Sequence, residues 1–306
     1  MRRQGILLIV AMLLFSMVVG CSTKSALETK EDDHPLKVGL SLSTLNNPFF
    51  VSLRDGAKKE AKQKGIELVV ADAQDDTAKQ ASDVEDLIQK KVDILLINPT
   101  DSKAVAAAIQ SANQAKIPVI TVDRAAEGGK TLSHIASDNV EGGKMAGDYL
   151  LSQIEDKGKV IELEGIPGTT AARDRGEGFH EALQDHDGVK IVASQPANFD
   201  RAKGLTVMEN LLQREKGVKA VFAHNDEMAL GALEAIRASK KDMIVVGFDA
   251  TADAVKAVQK GTLSATIAQK PEVIGKKAID VSSLAAKGKK VDKFYPVPLK
   301  LVTKEQ

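Results

Sequence analysis

The chain has 306 residues, with 42 Lys plus Arg against 42 Asp plus Glu, 3% aromatics, no Trp and a single Cys. That length suits two domains of ordinary size. The balanced charge gives no footprint for nucleic acid, and one cysteine excludes an intramolecular disulfide, so the core must supply the stability.

Met1-Arg2-Arg3 is a short basic segment, and Gly5 to Gly20 is an apolar run shorter than the about 20 residues a transmembrane helix needs. The run ends in Val18-Val19-Gly20-Cys21, which resembles the lipobox of bacterial lipoproteins. The expectation is a signal peptide over residues 1–20, removed to leave Cys21 as a lipidated amino terminus. The alternative is an uncleaved anchor. Residues 21–35, which include Glu31-Asp32-Asp33, read as a polar tether.

From Leu36 onward, short apolar strands alternate with amphipathic helices. Strands are expected at Lys37–Ser41, Glu67–Ala71, Ile94–Asn98, Pro118–Val122, Ser133–Ala136, Val160–Glu164, Lys190–Ser194, Ala220–Ala223, Ile244–Phe248 and Ala265–Ala268. Helices are expected to begin near Pro48, Asp76, Asp101, Asn139, Thr170, Asp200, Asp226, Thr251 and Pro271, several of them with an Asp, Asn or Thr cap. This βαβ alternation implies an α/β fold of doubly wound, mostly parallel sheets. The strands outnumber those of one sheet of usual size, so two similar domains are expected. His134 to Asn139 is a first candidate crossing between them. Ala268-Gln269-Lys270-Pro271 and Tyr295-Pro296-Val297-Pro298 are two more.

The stretch Val38 to Phe50 organises the rest. It reads as a buried strand, then turn chemistry at Asn46-Asn47-Pro48, then a helix with Pro48 in its first turn. Adjacent helical residues point about 100° apart, so Phe49 and Phe50 cannot both centre on one narrow core stripe. Either both are ordinary core aromatics, or one sits over whatever lies at the carboxyl end of the strand, where open α/β sheets bind ligands. Planar polar side chains recur at other strand ends: Asp123-Arg124, Asn225, Asp249 and Gln269, with Arg173 and Arg175 near a helix start. Such groups present paired donors or acceptors in fixed geometry, as a sugar's hydroxyls require. Each could instead be a helix cap or a salt-bridge partner; Asp226 reads as a cap and Arg173 as structural.

Other chemistries find no support. Glu127-Gly128-Gly129-Lys130-Thr131 lacks the earlier glycine of a phosphate loop, since position 124 is Arg. His34, His134, His180, His186 and His224 have no partner at zinc-ligand spacing, and no nucleophile elbow occurs. No catalytic constellation, cofactor or metal site is expected.

The segments Ser43 to Leu53, Leu95 to Ser102, Ile117 to Arg124, His134 to Asn139, Ala171 to Phe179, Asn225 to Leu233 and Val246 to Asp249 resemble the periplasmic sugar-binding proteins of bacterial ABC importers, and most of all their ribose-binding branch. The resemblance spans nearly everything after residue 35. It implies two flavodoxin-like lobes of periplasmic binding protein type I joined by a three-stranded hinge, with residues 36–137 plus 270–297 in one lobe and 138–269 plus 298–306 in the other. It implies a ligand site of Asn47, Phe49, Phe50, Asp123, Arg124, Arg175, Phe199, Asn225, Asp249 and Gln269, backed by Ser43. The implied partners are D-ribose and a membrane permease, engaged by a monomeric, lipid-anchored protein on the extracytoplasmic face. Allose, another pentose or a furanose-like signal is the alternative ligand. A sugar-responsive regulator core would need a helix-turn-helix where this chain has its signal sequence.

Overall fold

The computed structural model describes residues 34–305. The expected signal peptide and Cys21, with nearly all of the tether, lie outside the described residues. In chain order the elements are β1 (Lys37–Leu42), α1 (Pro48–Lys64), β2 (Glu67–Asp72), α2 (Thr77–Gln89), β3 (Ile94–Ile97), α3 (Ala106–Gln114), β4 (Val119–Val122), β5 (Ser133–Ala136) and α4 (Asn139–Ile154). Then come β6 (Gly158–Glu164), α5 (Thr170–Leu183), β7 (Val189–Pro196), α6 (Arg201–Arg214), β8 (Val218–Ala223), α7 (Asp226–Ala238), β9 (Ile244–Asp249), α8 (Ala252–Lys260) and β10 (Ala265–Ala268). The last are α9 (Pro271–Ala286), β11 (Phe294–Pro296) and β12 (Lys300–Thr303).

The strands form two six-stranded sheets, ordered β11-β5-β4-β3-β1-β2 and β12-β10-β9-β8-β6-β7. Strand pairs are parallel, with β12 antiparallel on β10. Each sheet carries helices on both faces, so its central strands are apolar on both sides, as β3 and β4 show by complete burial. The chain passes between the sheets three times: between β5 and β6, between β10 and β11, and between β11 and β12. This is the two-lobe fold expected from the sequence.

All ten expected strands are present, but β11 and β12 were not anticipated. They are three- and four-residue edge strands with no fully buried residue, so neither an apolar run nor clean alternation marks them. The helix expected from Asp101 begins only at Ala106. The Asp101 carboxylate accepts from Lys103 N (2.8 Å) and Ala104 N (2.7 Å), closing a turn rather than starting the helix. Asp226 is likewise not a cap. Asn225 caps α7, its Oδ1 accepting from Met228 N at 2.9 Å.

Helix pairs cross at backbone contact on each sheet. On the first, a Cβ at Gly56 or Gly275 would collide with the backbone of Glu272 or Leu53 across the α1–α9 contact. On the second, a Cβ at Gly143 or Gly178 would collide with the carbonyls of Arg175 or Val140 across α4–α5. The second pair matters for function because it sets the distance of Arg175 from its neighbours. Gly178→Ala is expected to force these helices apart and to destabilise the protein by about 1–3 kcal/mol, the usual range for overpacking. Urea unfolding of parent and variant measures it, and equal midpoints would refute the close approach.

Candidate functional site

Both sheets direct the carboxyl ends of their strands into one cleft. On the first sheet β1 and β3 are adjacent although β2 lies between them in sequence, and on the second β6 and β8 are related in the same way. These are the switch points at which doubly wound sheets open a crevice. The cleft there is lined by Asn47, Phe49, Phe50, Asp123, Arg124, Arg175, Phe199, Asn225, Asp249 and Gln269, with Ala171 added. The structure thus brings all ten candidates together. Ser43 stands behind them, fully buried, its N–H donating to Asn98 Oδ1 at 3.3 Å. Ala171 carries no polar atom that could have singled it out in the sequence.

Local structure fixes each wall. Asn47 caps α1, its Oδ1 accepting from Phe49 N at 2.9 Å. The helix therefore starts with Phe49 and Phe50 at the cleft, their rings edge to face at 5.2 Å. Both line the space and both belong to the apolar core of their sheet, so the two readings of this pair were not exclusive. Asp123, Phe199 and Asp249 have φ of 62°, 58° and 116°. Non-glycine residues seldom adopt such angles, and they concentrate where surrounding structure holds a side chain for function.

Two buried arginines face each other across the cleft. The Arg124 guanidinium lies 5.1 Å from the Phe50 ring centre and 5.2 Å from that of Phe199, stacked between rings of opposite lobes. It donates to Pro99 O at 3.1 Å, while its Nε has no hydrogen-bond partner within the protein. Arg175 donates from Nε to Asn139 Oδ1 (2.9 Å) and from Nη1 to His224 O (2.6 Å), and its guanidinium carbon lies 3.9 Å from the Phe248 ring centre. The matching carboxylates are Asp123, 3.8 Å from Arg124 Nε, and Asp249, 4.0 Å from Arg175 Nη1. Burial pushes both carboxyls above the usual range, and the neighbouring guanidinium opposes it. Gln269 Nε2 donates to Asp249 Oδ1 at 2.9 Å, and Gln269 Oε1 is unpaired within the protein. Asn225 uses Nδ2 to hold Phe199 O at 3.1 Å. The cleft therefore presents charged donors, charged acceptors and aromatic faces together. Among the described residues no three His, Cys, Asp or Glu are grouped as metal ligands.

Beneath Arg175 lies a network that sequence reasoning missed. Glu162 is fully buried on β6 and accepts from His224 Nε2 (3.0 Å), His180 Nε2 (2.8 Å) and Ser194 Oγ (2.5 Å). Gly165 N donates to His224 Nδ1 at 3.2 Å, so His224 carries its proton on Nε2, toward Glu162. The carbonyl that holds Arg175 thus belongs to a residue fixed at both ring nitrogens. Its four members are far apart in sequence, and no motif links them.

Comparison with known proteins gives a consistent result. A family model described as the periplasmic binding protein domain matches residues 38–290. The chain is 55% identical over 268 residues to the ribose import binding protein RbsB of Bacillus subtilis (strain 168), covering 88% of this chain and 87% of that protein. It is also 55% identical over 293 residues to the ribose import binding protein RbsB of Escherichia coli (strain K12), covering 95% and 97%. A solved periplasmic solute-binding protein of an ABC transporter from Actinobacillus succinogenes, with bound D-allose, superposes with a TM-score of 0.83 at 34% identity, covering 89% of this chain and 99% of that one.

The Glu162 network predicts an acid-dependent term. Burial raises the Glu162 carboxyl, but the donors from His180, His224 and Ser194 outweigh it and hold it at about 2. A depressed carboxyl contributes stability that is full above its ordinary value near 4.5 and is lost as pH falls through about 2. Glu162→Gln leaves one donor facing an amide N–H₂, at a cost on the order of 1–3 kcal/mol at pH 7. Urea midpoints from pH 7 to pH 2 are expected to be lower for the variant at pH 7 and to fall less on acidification. Parallel pH curves would show that Glu162 is not the group responsible.

Proposed function

Since the chain belongs to the periplasmic binding protein family, we propose that it is the extracytoplasmic solute-binding component of an ABC importer, capturing D-ribose between its lobes and delivering it to the permease. The observation that carries this reading is the cleft itself, which aromatic faces and charged hydrogen-bonding groups from both sheets line together. Phe49 and Phe50 from one lobe and Phe199 from the other would sandwich the ring's C–H faces. Asn47, Asp123 and Arg124 would bind hydroxyls from one side, and Arg175, Asn225 and Asp249 from the other, with Gln269 at the hinge. The unpaired Arg124 Nε and Gln269 Oε1 supply one donor and one acceptor suited to hydroxyls. Relatives named as ribose import binding proteins, matched over most of their length, support the choice of sugar. The D-allose complex of a more distant relative keeps that hexose as the alternative.

The lobes in this reading comprise residues 36–137 plus 270–297 and 138–269 plus 298–306, boundaries that fit the three crossings between the sheets. No helix among the described residues is long and apolar enough to cross a membrane. Attachment falls to Cys21, following Val18-Val19-Gly20, as a lipidated terminus outside the described residues, and the protein acts as a monomer. Cys21→Ser is expected to accumulate as an unprocessed precursor that takes up no labelled fatty acid, and equal labelling of parent and variant rules the anchor out.

Arg175→Ala is expected to weaken D-ribose binding by about 1.5–3 kcal/mol for each charge-assisted bond lost. Phe50→Ala is expected to weaken it by about 1.5–3 kcal/mol through lost apolar burial. Calorimetric titration of both variants and the parent against a panel of pentoses and hexoses tests site and sugar together. A variant that binds like the parent places its residue outside the site.

Ligand groups divided between two lobes also require closure. Neither lobe alone could satisfy the hydroxyls, so the sugar binds the closed state better, and that difference shifts the population. Moving from 1:99 to 99:1 closed needs a differential affinity of about 5.5 kcal/mol, which a few charge-assisted bonds from the second lobe supply. Pro35–Gln306 forms one compact unit, and its radius of gyration in solution scattering is expected to fall at saturating D-ribose. An identical radius with and without sugar refutes closure even if the sugar binds.

A further inference from the structure

Outside the pocket, the lobes also touch at one edge of the cleft, through backbone and hydroxyl groups. Ser102, in the turn after β3, is fully buried. Its N–H donates to Gly168 O at 3.0 Å, and its Oγ accepts from Thr170 N at 3.1 Å. Thr170 Oγ1 in turn accepts from Ala125 N at 2.9 Å. Ser102 O accepts from Glu127 N at 2.6 Å, which ties the two first-lobe loops to each other. Thr170 is the first residue of α5, and its N–H is one of the donors that a helix start leaves without an internal partner. Gly168, at φ 94°, allows the approach, since a Cβ there would collide with the Asp101 carboxylate of the other lobe. Arg173 and Glu127 pair at the rim, where solvent screens them. Elsewhere along the cleft, Asp75 of the first lobe and Asn198 and Arg201 of the second line a gap.

We propose that Ser102 and Thr170 form a latch that holds the lobes closed without touching the sugar, and so set the affinity and residence time of the ligand from outside its site. The inference rests on the reading of this cleft as a sugar site that closes. The three cross-lobe bonds, Ser102 N to Gly168, Thr170 N to Ser102 and Ala125 N to Thr170, exist only when the lobes meet. When the lobes part, each donor and acceptor returns to water, so each bond shifts the closed-to-open ratio by about two- to tenfold. Apparent affinity scales with the closed, binding-competent fraction. The latch adds to closure equally whichever hydroxyls the pocket engages.

The test is stopped-flow and calorimetric measurement of D-ribose binding to the full chain and three variants. Thr170→Val keeps the shape and removes the Oγ1 acceptor, Ser102→Ala removes the Oγ acceptor, and Thr170→Ser keeps the hydroxyl. The expected result is a two- to tenfold faster dissociation in Thr170→Val and in Ser102→Ala, an unchanged association rate, and parental behaviour in Thr170→Ser. The melting temperature of the sugar-free variants is expected to match the parent, because the open form makes none of these bonds. Parental dissociation rates in both Thr170→Val and Ser102→Ala overturn the latch while leaving the sugar site standing. So does a lowered sugar-free melting temperature that accounts for the loss, or a Thr170→Ser variant as weak as Thr170→Val. A parent that fails to bind D-ribose overturns the functional reading first, and the latch with it.

Discussion

The fold depends on the burial of charge where the two lobes meet. Arg124, Arg175, Asp123 and Asp249 are each no more than 7% exposed. Removing such groups from water costs several kcal/mol per ion unless partners replace the solvent. The surrounding backbone is arranged to supply those partners: Pro99 O for Arg124, and His224 O with Asn139 for Arg175. Asn98 Nδ2, at 3.3 Å from Asp123 Oδ2, serves Asp123, and Gln269 serves Asp249. Aromatic rings close the remaining faces of both guanidiniums. The result is a preorganised polar cleft inside an apolar frame, with hydrogen-bonding capacity left over at Arg124 and Gln269.

That arrangement explains features of the scaffold that would otherwise look unrelated. The glycines that let α4 and α5 cross at backbone contact also bring the Arg175 turn against α4, where Asn139 receives its Nε. The buried Glu162 keeps His224 in one tautomer and in place, so the carbonyl that receives Arg175 does not wander. Three side chains of the cleft sit on left-handed backbone. Strain of this kind persists only where neighbouring structure over-determines it. The two sheets, with their cores on both faces, provide that rigidity.

In the proposed reading, the pocket groups of the two lobes serve recognition and closure together, whereas Ser102 and Thr170 serve closure alone. The edge at Ser102 and Thr170 supplies bonds that any closed state makes. Separating the two allows affinity to be tuned by substitutions that leave specificity alone, because the population of a state and the contacts within it enter the binding free energy as separate terms.

The sequence by itself determined the α/β class, the ten longer strands and most helix starts, because apolar runs and Asp, Asn or Thr caps are local signals. It also marked polar residues at strand ends, since βαβ topology puts those ends on one side of a sheet. It could not separate the two readings of Phe49 and Phe50, which serve core and cleft at once, and it assigned the α7 cap to Asp226 where Asn225 provides it. The edge strands β11 and β12 escaped notice because their pairing, not their composition, makes them strands. Only the tertiary structure decided that Ala171 lines the cleft, that Glu162, His180, Ser194 and His224 form one network, and that Ser102 reaches Thr170. The physical reason is the same in each case. These contacts join residues with sequence separations of 18 to 68, too far apart for local propensity to encode.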